Sequence, residues 1–216
     1  MMYSEHTVKD AFEFCSNLEE FEARYQMTAT DTFMCSFDVE SLFTSIPLLK
    51  TVDICLNTLY RSTLVTPPSI PEVMLRKLPL KATTEVEFSF NDMMYRHIDG
   101  VAMESPLGPV LANIFVGYYE RKIEEEHWPS FYNRFVDDTF SVFVSEGKAV
   151  DFYSRLNKLH PALKFTMEAE QDKELPFMDL RVRSNEDGTF TRSVYRNPCL
   201  QDCIQDGTLS APHTIK

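Results

Sequence analysis

The feature that most constrains this chain is a pair of adjacent aspartates inside an aromatic and β-branched run, YNRFVDDTFSVF, at residues 132–143. Strands favour Phe, Tyr, Val and Thr and disfavour Asp, so Asp137 and Asp138 oppose the local preference for a strand. Two neighbouring carboxylates are costly to bury unless a turn exposes them or a cation offsets their charge. Two interpretations remain open at this level: an acidic hairpin turn and a metal site.

Length and charge limit the function. The chain has 216 residues, of which 44% are hydrophobic, enough for one or at most two domains with a real core. Its formal net charge of −12 argues against a self-sufficient nucleic-acid binder, which needs a basic surface. An acidic catalytic module whose basic partners lie elsewhere in a longer protein remains compatible with this charge.

The sequence gives no sign of a membrane or secretory protein. No run of 18 apolar residues occurs, and the acidic N-terminus lacks the apolar segment of a signal peptide, so we expect an intracellular location, in the nucleus or the cytoplasm. The odd number of cysteines favours a reducing compartment. Cys199 and Cys203, with His213 downstream, do not have the spacing of a standard zinc site, which favours incidental cysteines. The sequence indicates no oligomeric state.

Apolar periodicity predicts a mixture of helices and hairpins. The first helix would bury Val8, Phe12, Cys15, Leu18 and Phe21. Helices are predicted over residues 8–25, 47–60, 70–80, 107–126 and 148–160, and strands at Phe33–Val39, in hairpins around Asn91-Asp92 and within 131–144, and on both sides of the NEDG turn at 185–188. This order predicts an α+β fold, an antiparallel sheet with helices packed on one face.

A third carboxylate strengthens the metal interpretation. Asp38 lies near the end of the predicted strand in CSFDVESLF, about a hundred residues before the aspartate pair. Oxygen ligands from two adjacent strands suit Mg²⁺, which binds few carboxylates and keeps positions for water and phosphate oxygens. Two such ions about 4 Å apart can hold the attacking and leaving oxygens of a phosphoryl transfer.

Several blocks of the sequence resemble the reverse transcriptase of Penelope-like retroelements. SFDVESLFTSIP is similar to the first catalytic block of that family, DGVAMESPLGPVLANIFVGYYE to the second, and RFVDD to its double-aspartate turn. LKFTMEAEQDKELPFMDLRV and TRSVYRNP are similar to the blocks that follow, in the same order. The resemblance covers roughly residues 30–216 and implies a reverse-transcriptase palm with partial fingers, residues 31–216, after an N-terminal helical segment, residues 1–30.

The resemblance also implies roles for individual residues. Asp38, Asp137 and Asp138 would be catalytic and would hold two Mg²⁺ or Mn²⁺ ions together with the carbonyl of Val39. Lys164 would act as a general acid for the pyrophosphate, although a solvated strand-edge lysine is an equally valid interpretation. Further residues would contact the substrates: Phe43, Glu104, Ser105 and Pro106 the nucleotide, and Gly108, Tyr195 and Arg196 the primer and template.

Three of these positions carry specific consequences. The aromatic Phe43 would lie under the incoming sugar and clash with a 2′-hydroxyl, which favours a DNA product; the alternative is a core phenylalanine. Glu104 stands where the family usually has glycine, and its charge and its lack of access to positive φ would weaken nucleotide or template binding. Arg196 would contact phosphates.

The resemblance therefore implies an RNA-directed DNA polymerase that binds an RNA template, a DNA primer and a dNTP. Basic fingers and a helical thumb are not recognisable, so the chain is expected to be a truncated palm without a thumb. Two alternatives stay open: a catalytically inactive remnant that acts as a binding module, and a metal-dependent nuclease or phosphotransferase.

Overall fold

A computed structural model describes residues 4, 6–25, 32–63, 65–84, 87–96, 100–101 and 105–195. Within these residues the helices are α1 (Ala11–Arg24), α2 (Leu42–Ser45), α3 (Leu48–Arg61), α4 (Glu72–Thr84), α5 (Gly108–Glu120) and α6 (Glu146–Leu159). The strands are β1 (Phe33–Val39), β2 (Glu87–Phe90), β3 (Met93–Arg96), β4 (Phe131–Phe135), β5 (Asp138–Phe143), β6 (Phe165–Ala169), β7 (Glu174–Phe177), β8 (Leu180–Ser184) and β9 (Phe190–Val194). The predictions for Glu104, Arg196, Cys199, Cys203 and His213 lie outside the described residues.

A four-stranded antiparallel sheet with the order β4-β5-β1-β6 forms the centre of the fold. Strand β1 is therefore interior, with β5 on one side and β6 on the other. The predicted strand Phe33–Val39 is confirmed at both ends. Strands β7, β8 and β9 form a second antiparallel sheet, and β2 and β3 form a separate hairpin.

Each face of the central sheet is covered by a different set of elements. Alternate residues of β1 point to opposite faces. On one face Cys35, Phe37 and Val39 belong to a core that includes residues of α3, α5 and α6. On the other face Met34 belongs to a core with α1 and the sheet β7-β8-β9. The predicted α+β class is confirmed, with α1 as a helix on the second face.

Capping and turn residues set the ends of several elements. The Asp10 side chain accepts a hydrogen bond from the Glu13 amide at 2.9 Å, so α1 begins at Ala11, three residues after the predicted start. The predicted turn at Asn91-Asp92 is confirmed, with φ of 49° and 60°, the positive values that a type I′ hairpin turn requires.

The structure differs from the predicted elements in three respects. The long helix ends at Glu120 instead of near residue 126, and a short 3-10 turn follows at Glu125–His127. Strand β6 and the short helix α2 were not predicted. The segment LPFMDLRVRS contains two strands, β7 and β8, because Met178 with a φ of 55° forms a tight turn between them.

Four of the five residues predicted to be buried by the first helix do face its core, and the exception is Phe12. Val8, Leu18 and Phe21 are buried and Cys15 packs against the same core. Phe12 is 87% exposed, whereas Phe14 is completely buried and contacts the rings of Phe131, Phe140 and Phe177. Helix α1 shares its core with the central sheet, and the predicted division of the chain at residue 30 stays a prediction.

No described helix is long and apolar enough to pass through a bilayer.

The two phenylalanines of α1 give a matched test of this packing. Phe14→Ala is expected to lower the free energy of unfolding by about 3–5 kcal/mol, because it removes a ring from a closed aromatic cluster. Phe12→Ala, the same chemical change at an exposed position, should change it by less than about 0.5 kcal/mol. Urea unfolding followed by circular dichroism measures both values, and equal losses would contradict the placement of the helix.

Candidate active-site cleft and metal centre

Asp38 and Asp138 lie opposite each other where β1 approaches its end. Their Cα atoms are direct partners in the antiparallel register of β1 and β5. Just before this pair, the Phe37 amide donates to the Thr139 hydroxyl at 2.8 Å. The side chains of Ser36 and Asp38 point to the same face, because they are two residues apart in a strand. The two distant motifs of the sequence thus meet at one point.

The hairpin between β4 and β5 brings Asp137 to the same strand end. Phe135 pairs with Asp138, which leaves Val136 and Asp137 as a two-residue loop. The Val39 amide donates to the Asp137 carbonyl at 3.3 Å, so the loop is tied to β1. Val136 has a φ of 57°. Glycine is the usual residue for positive φ at the first position of such a turn, and a β-branched residue there is strained.

A buried arginine holds this strained turn. Arg134 and Glu120 are completely buried and form an ion pair, with 2.7 Å between Arg134 Nε and Glu120 Oε1. Arg134 Nη1 donates to the Val136 carbonyl at 2.7 Å. Charged hydrogen bonds of this kind are stronger than neutral ones. The guanidinium therefore connects the last residue of α5 with the turn that carries the aspartates.

Further polar groups complete the network around Arg134. Its Nη1 also donates to Asn113 Oδ1 at 2.6 Å, and the Tyr132 hydroxyl donates to Glu120 at 2.9 Å. Burial by itself would raise the pKa of Glu120, but the Arg134 charge and hydrogen bonds lower it. The pKa of Tyr132 is raised by burial and by the adjacent Glu120 carboxylate. The pair thus remains ionised inside the core.

Asp38 and Asp138 face a cleft of about 420 Å³ between the central sheet and the β7–β8 turn, whereas Asp137 is not among the residues that line it. Glu168 of β6 is a third carboxylate in this cleft, and its Cα is paired with that of Ser36. The wall opposite the carboxylates is formed by the sheet β7-β8-β9 and the residue that follows it. The cleft is lined by Ser36, Asp38, Asp138, Thr166, Glu168, Pro176, Phe177, Met178 and Tyr195.

Burial and then mutual repulsion raise the pKa of two of these carboxyl groups. Burial and the neighbouring Asp38 raise the pKa of Asp138 to about 7, with smaller contributions from Asp137 and Glu168. Burial, followed by the Asp137 charge, also raises the pKa of Asp38. Partial burial and like charges disfavour the ionised form of a carboxylate. A cation bound nearby would stabilise that form.

The residues fit a hard divalent cation. Carboxylate and carbonyl oxygens at one strand end are the ligands that Mg²⁺ prefers. The carboxylates of the three aspartates do not all lie within 4.8 Å of one another, as expected for like charges. Among the described side chains, the group of three possible ligands that does meet this limit is Glu124, Glu126 and His127, which lies elsewhere, after the end of α5.

The predicted nucleotide residue Phe43 lies in α2, directly after β1. It is partly buried and packs against the main core. Its carbonyl accepts a hydrogen bond from the Val101 amide at 2.7 Å. Gly100 has a φ of +79°, and a Cβ there would lie only 2.7 Å from the Thr44 carbonyl oxygen. Only glycine lets the backbone of residues 100–101 approach Phe43 so closely.

Ser105, Pro106 and Gly108 lie where the second motif enters α5. The Ser105 carbonyl accepts a hydrogen bond from the Gly108 amide at 2.8 Å, and its hydroxyl accepts one from the Leu107 amide at 3.3 Å. Pro106 is exposed and Gly108 is buried at the start of the helix. These bonds form the turn that begins α5; contacts with nucleotide, primer or template stay predictions.

Lys164 precedes β6 and Tyr195 follows β9, and of the two only Tyr195 lines the cleft. Lys164 is exposed and precedes β6; its carbonyl accepts a hydrogen bond from the Glu40 amide at 2.8 Å, two residues after Asp38. Tyr195 lines the cleft with Asp38 and Asp138, and its amide donates to the Asp179 carbonyl at 2.8 Å. The roles of both residues stay predictions.

The sequence did not predict three residues that support or line the candidate site: Arg134, Glu120 and Glu168. A signal existed for the first two, because Arg134 is a charged residue inside an apolar strand and Glu120 ends a helix that is apolar almost all round. Their pairing needs the tertiary structure. Glu168 has no comparable signal, since a carboxylate on a half-exposed strand is ordinary.

The fold of this chain is similar to part of the fold of solved telomerases. The telomerase of Candida albicans, solved in complex with a TWJ fragment of telomeric RNA, aligns with a TM-score of 0.68 and 10% identity over 87% of this chain and 36% of that chain. The telomerase of Candida tropicalis truncated from its C-terminal domain gives 0.65 and 12% identity over 87% and 41%. This chain therefore spans less than half the length of either telomerase.

The chain thus has an α+β fold of the reverse-transcriptase palm type. No protein-family model and no curated protein matches the chain. At identities this low the likeness concerns the fold, and the chemistry has to be argued from the residues of this chain.

Loss of one partner of the buried ion pair is expected to be costly. Glu120→Gln leaves the Arg134 charge buried without its counterion and should lower the free energy of unfolding by about 3–5 kcal/mol. Glu125→Gln is the matched control, because Glu125 is exposed in the turn that follows α5. Urea unfolding measures both; a Glu120 variant as stable as the control would show that the pair does not support the turn.

The raised pKa of Asp138 predicts that ionisation of this group lowers the free energy of unfolding of the metal-free protein as the pH rises. The unfolded chain releases this proton near the usual value of 3.8 and the folded chain near 7. Over that interval the folded state binds more protons, so this group lowers stability as the pH rises. Asp138→Asn removes this loss of stability. In EDTA it should be about 1–3 kcal/mol more stable than the parent above about pH 7.5, with the gain vanishing towards about pH 4.

Urea unfolding at several pH values measures this difference. Asp92→Asn in the β2–β3 turn is the control and should give no pH-dependent gain. A constant difference between the Asp138 variant and the parent across the range would contradict the raised pKa.

Proposed function

We propose that this chain is the palm of an RNA-directed DNA polymerase, a reverse transcriptase related to those of Penelope-like retroelements. The observation that carries the proposal is the meeting of Asp38 with the Asp137-Asp138 turn at one strand end, in a palm fold. The ordered sequence blocks around these residues support the retroelement affiliation. Such a polymerase would work in the nucleus or the cytoplasm.

The chain's carboxylates would hold two Mg²⁺ or Mn²⁺ ions. Asp38, Asp137 and Asp138 supply the side-chain oxygens, and the carbonyl of Val39 supplies a backbone ligand. When bound, the ions would activate a primer 3′-hydroxyl and neutralise charge on the leaving pyrophosphate. The Arg134 hydrogen bond to the Val136 carbonyl supports this role, because it restrains the turn that presents two of the ligands.

Other residues of the chain would bind and orient the substrates. The ring of Phe43 would pack under the deoxyribose and exclude a 2′-hydroxyl. Ser105, Pro106 and Gly108 would guide template and nucleotide at the start of α5. Tyr195 would support the primer strand at the far wall of the cleft, next to Arg196. Glu104, in place of the usual glycine, would weaken nucleotide binding.

The reaction would join the primer 3′-oxygen to the α-phosphorus of a dNTP and break the bond from that phosphorus to the bridging oxygen. Lys164 would donate a proton to the departing pyrophosphate. RNA as the template is supported by the likeness to a telomerase that was solved with RNA bound. The chain's own acidity implies that the basic surfaces that hold the strands are in large part outside it.

Metal binding is the first test, because it does not need a complete polymerase. Titration with Mn²⁺, followed by the electron paramagnetic resonance of the free ion, should show binding by the parent. Asp38→Asn and Asp137→Asn should each weaken it at least about tenfold, since each removes a charged ligand. Asp92→Asn, an exposed turn residue, should bind as the parent does. Equal affinities in all four proteins would refute the metal centre.

Primer extension on poly(rA)/oligo(dT) with dTTP and Mg²⁺ tests the reaction itself. Extension by the parent, or by Glu104→Gly if the parent is silent, should disappear with Asp137→Ala. Phe43→Ala should raise the ratio of rUTP to dTTP incorporation. An intact metal centre without extension in either parent or Glu104→Gly would show that this chain is not a polymerase by itself.

A further inference from the structure

A basic cluster lies where the start of α3 meets the ends of α5 and α6. It consists of Lys50, Lys122 and His160, which surround the buried ring of Tyr119. The ammonium of Lys122 lies 4.6 Å from the centre of that ring and that of Lys50 lies 5.4 Å from it. The His160 ring packs against Tyr119 at 4.8 Å and against Phe115 at 5.2 Å. Aromatic contacts thus hold three basic side chains near one another.

The hydrogen bonds of His160 leave two donors facing each other. His160 Nδ1 accepts a hydrogen bond from the Ala162 amide at 3.1 Å, which leaves the proton of the neutral ring on Nε2. The Lys50 ammonium lies 3.0 Å from that Nε2. The other tautomer would instead place a proton on Nδ1, facing the Ala162 amide. That tautomer would lose the Ala162 hydrogen bond, so the Ala162 contact favours the first one. In the first tautomer the Lys50 ammonium and the Nε2–H are two donors that face each other, and an acceptor that contacts both would satisfy them.

The cluster has no carboxylate partner in the described part of the chain. Neither lysine forms an ion pair there, and burial, followed by the charges of Lys50 and Lys122, lowers the pKa of His160. The nearby carboxylates already have partners, which are given in the following pairs: Asp53 with Arg76, Asp151 with Arg155, Glu120 with Arg134, and Glu124 and Glu126 with His127. Two lysines without an ion pair thus lie over one tyrosine ring in a chain with a net charge of −12.

Two grooves continue the basic surface on either side of Lys122. One, of about 430 Å³, runs along α3 and includes Arg61, Arg121 and the ring of Tyr118, over which the Lys122 ammonium lies at 4.4 Å. The other, of about 270 Å³, includes Lys122, Arg155 and Lys158, together with Glu124 and its partner His127. Arg61 is paired with Glu72 and Arg155 with Asp151, so Arg121 and Lys158 are the cations that extend the basic cluster. A strand with successive phosphates needs several cations along its path.

We propose that Lys50, Lys122 and the Nε2–H of His160 bind a backbone phosphate of a nucleic-acid strand, at a site separate from the carboxylate cleft. The oxygens of a phosphate accept hydrogen bonds from several donors at once, and lysine binds them as a point charge. The choice of a nucleic acid over another phosphate ester rests on the proposed function. The site would give this acidic chain a strand contact of its own.

Fluorescence anisotropy of labelled rU20 and dT20 over a range of salt concentrations tests the site. Lys50→Gln with Lys122→Gln should weaken binding of the parent at low salt by about tenfold or more. It should also reduce the slope of log K against log salt by about 1.4, the value for two lost contacts to a single strand. Lys77→Gln with Lys148→Gln removes the same charge from two other exposed lysines and should leave the slope unchanged.

The outcomes separate this inference from the proposed function. Equal effects of the two double variants, or no binding of either oligonucleotide by the parent, would overturn the phosphate site. The Mn²⁺ titration judges the carboxylate centre independently, and both double variants should bind Mn²⁺ as the parent does. A loss with rU20 but not dT20 would assign the site to RNA, and the reverse to DNA. Reversal by inorganic phosphate at millimolar concentration would show that the contact is to phosphate alone.

Discussion

The buried ion pair of Arg134 and Glu120 is the interaction on which the arrangement of the site depends. It joins the end of α5 to β4, and through the Val136 carbonyl it reaches the aspartate turn. The main chain of Arg134 also donates to the His6 carbonyl and accepts from the Val8 amide, so the segment before α1 is fixed to the edge of the sheet. An unpaired buried charge costs several kcal/mol, so loss of either Arg134 or Glu120 would strongly destabilise the fold.

The candidate site next to this junction contains features that lower the stability of the fold: clustered carboxylates and a strained turn. Asp38, Asp138 and Glu168 share one cleft, and Val136 adopts a positive φ that costs about 1–3 kcal/mol. The two closed cores on either face of the sheet and the Arg134 network offset this cost. Unfavourable local choices held by a rigid surrounding are common at functional sites. Here they concentrate negative charge at the end of one interior strand, where a cation would gain most.

Charge in this protein is segregated instead of evenly spread. The net charge is −12, yet Lys50, Lys122 and His160 lie together without a carboxylate partner among the described residues. The carboxylate cleft and the basic cluster are built on different elements: the first on β1, β5 and β6, the second on α3 and on the residues that follow α5 and α6. An overall acidic composition therefore says little about which ligands individual surfaces can bind.

The sequence by itself determined the local elements and the identity of the reactive groups. The period of the apolar residues, the Asn91-Asp92 turn and the strand Phe33–Val39 depend on short-range sterics and patterning, and all were predictable. The three aspartates were recognisable because carboxylates in strand-forming segments violate local preference. That α1 buries Phe14 and leaves Phe12 exposed was not predictable, because both side chains are apolar and the partner surface decides between them. The tertiary structure alone decided the pairing of Arg134 with Glu120, the register that places Asp38 opposite Asp138, and the approach of Lys50 to His160, since each joins residues distant in sequence whose separation is set by packing.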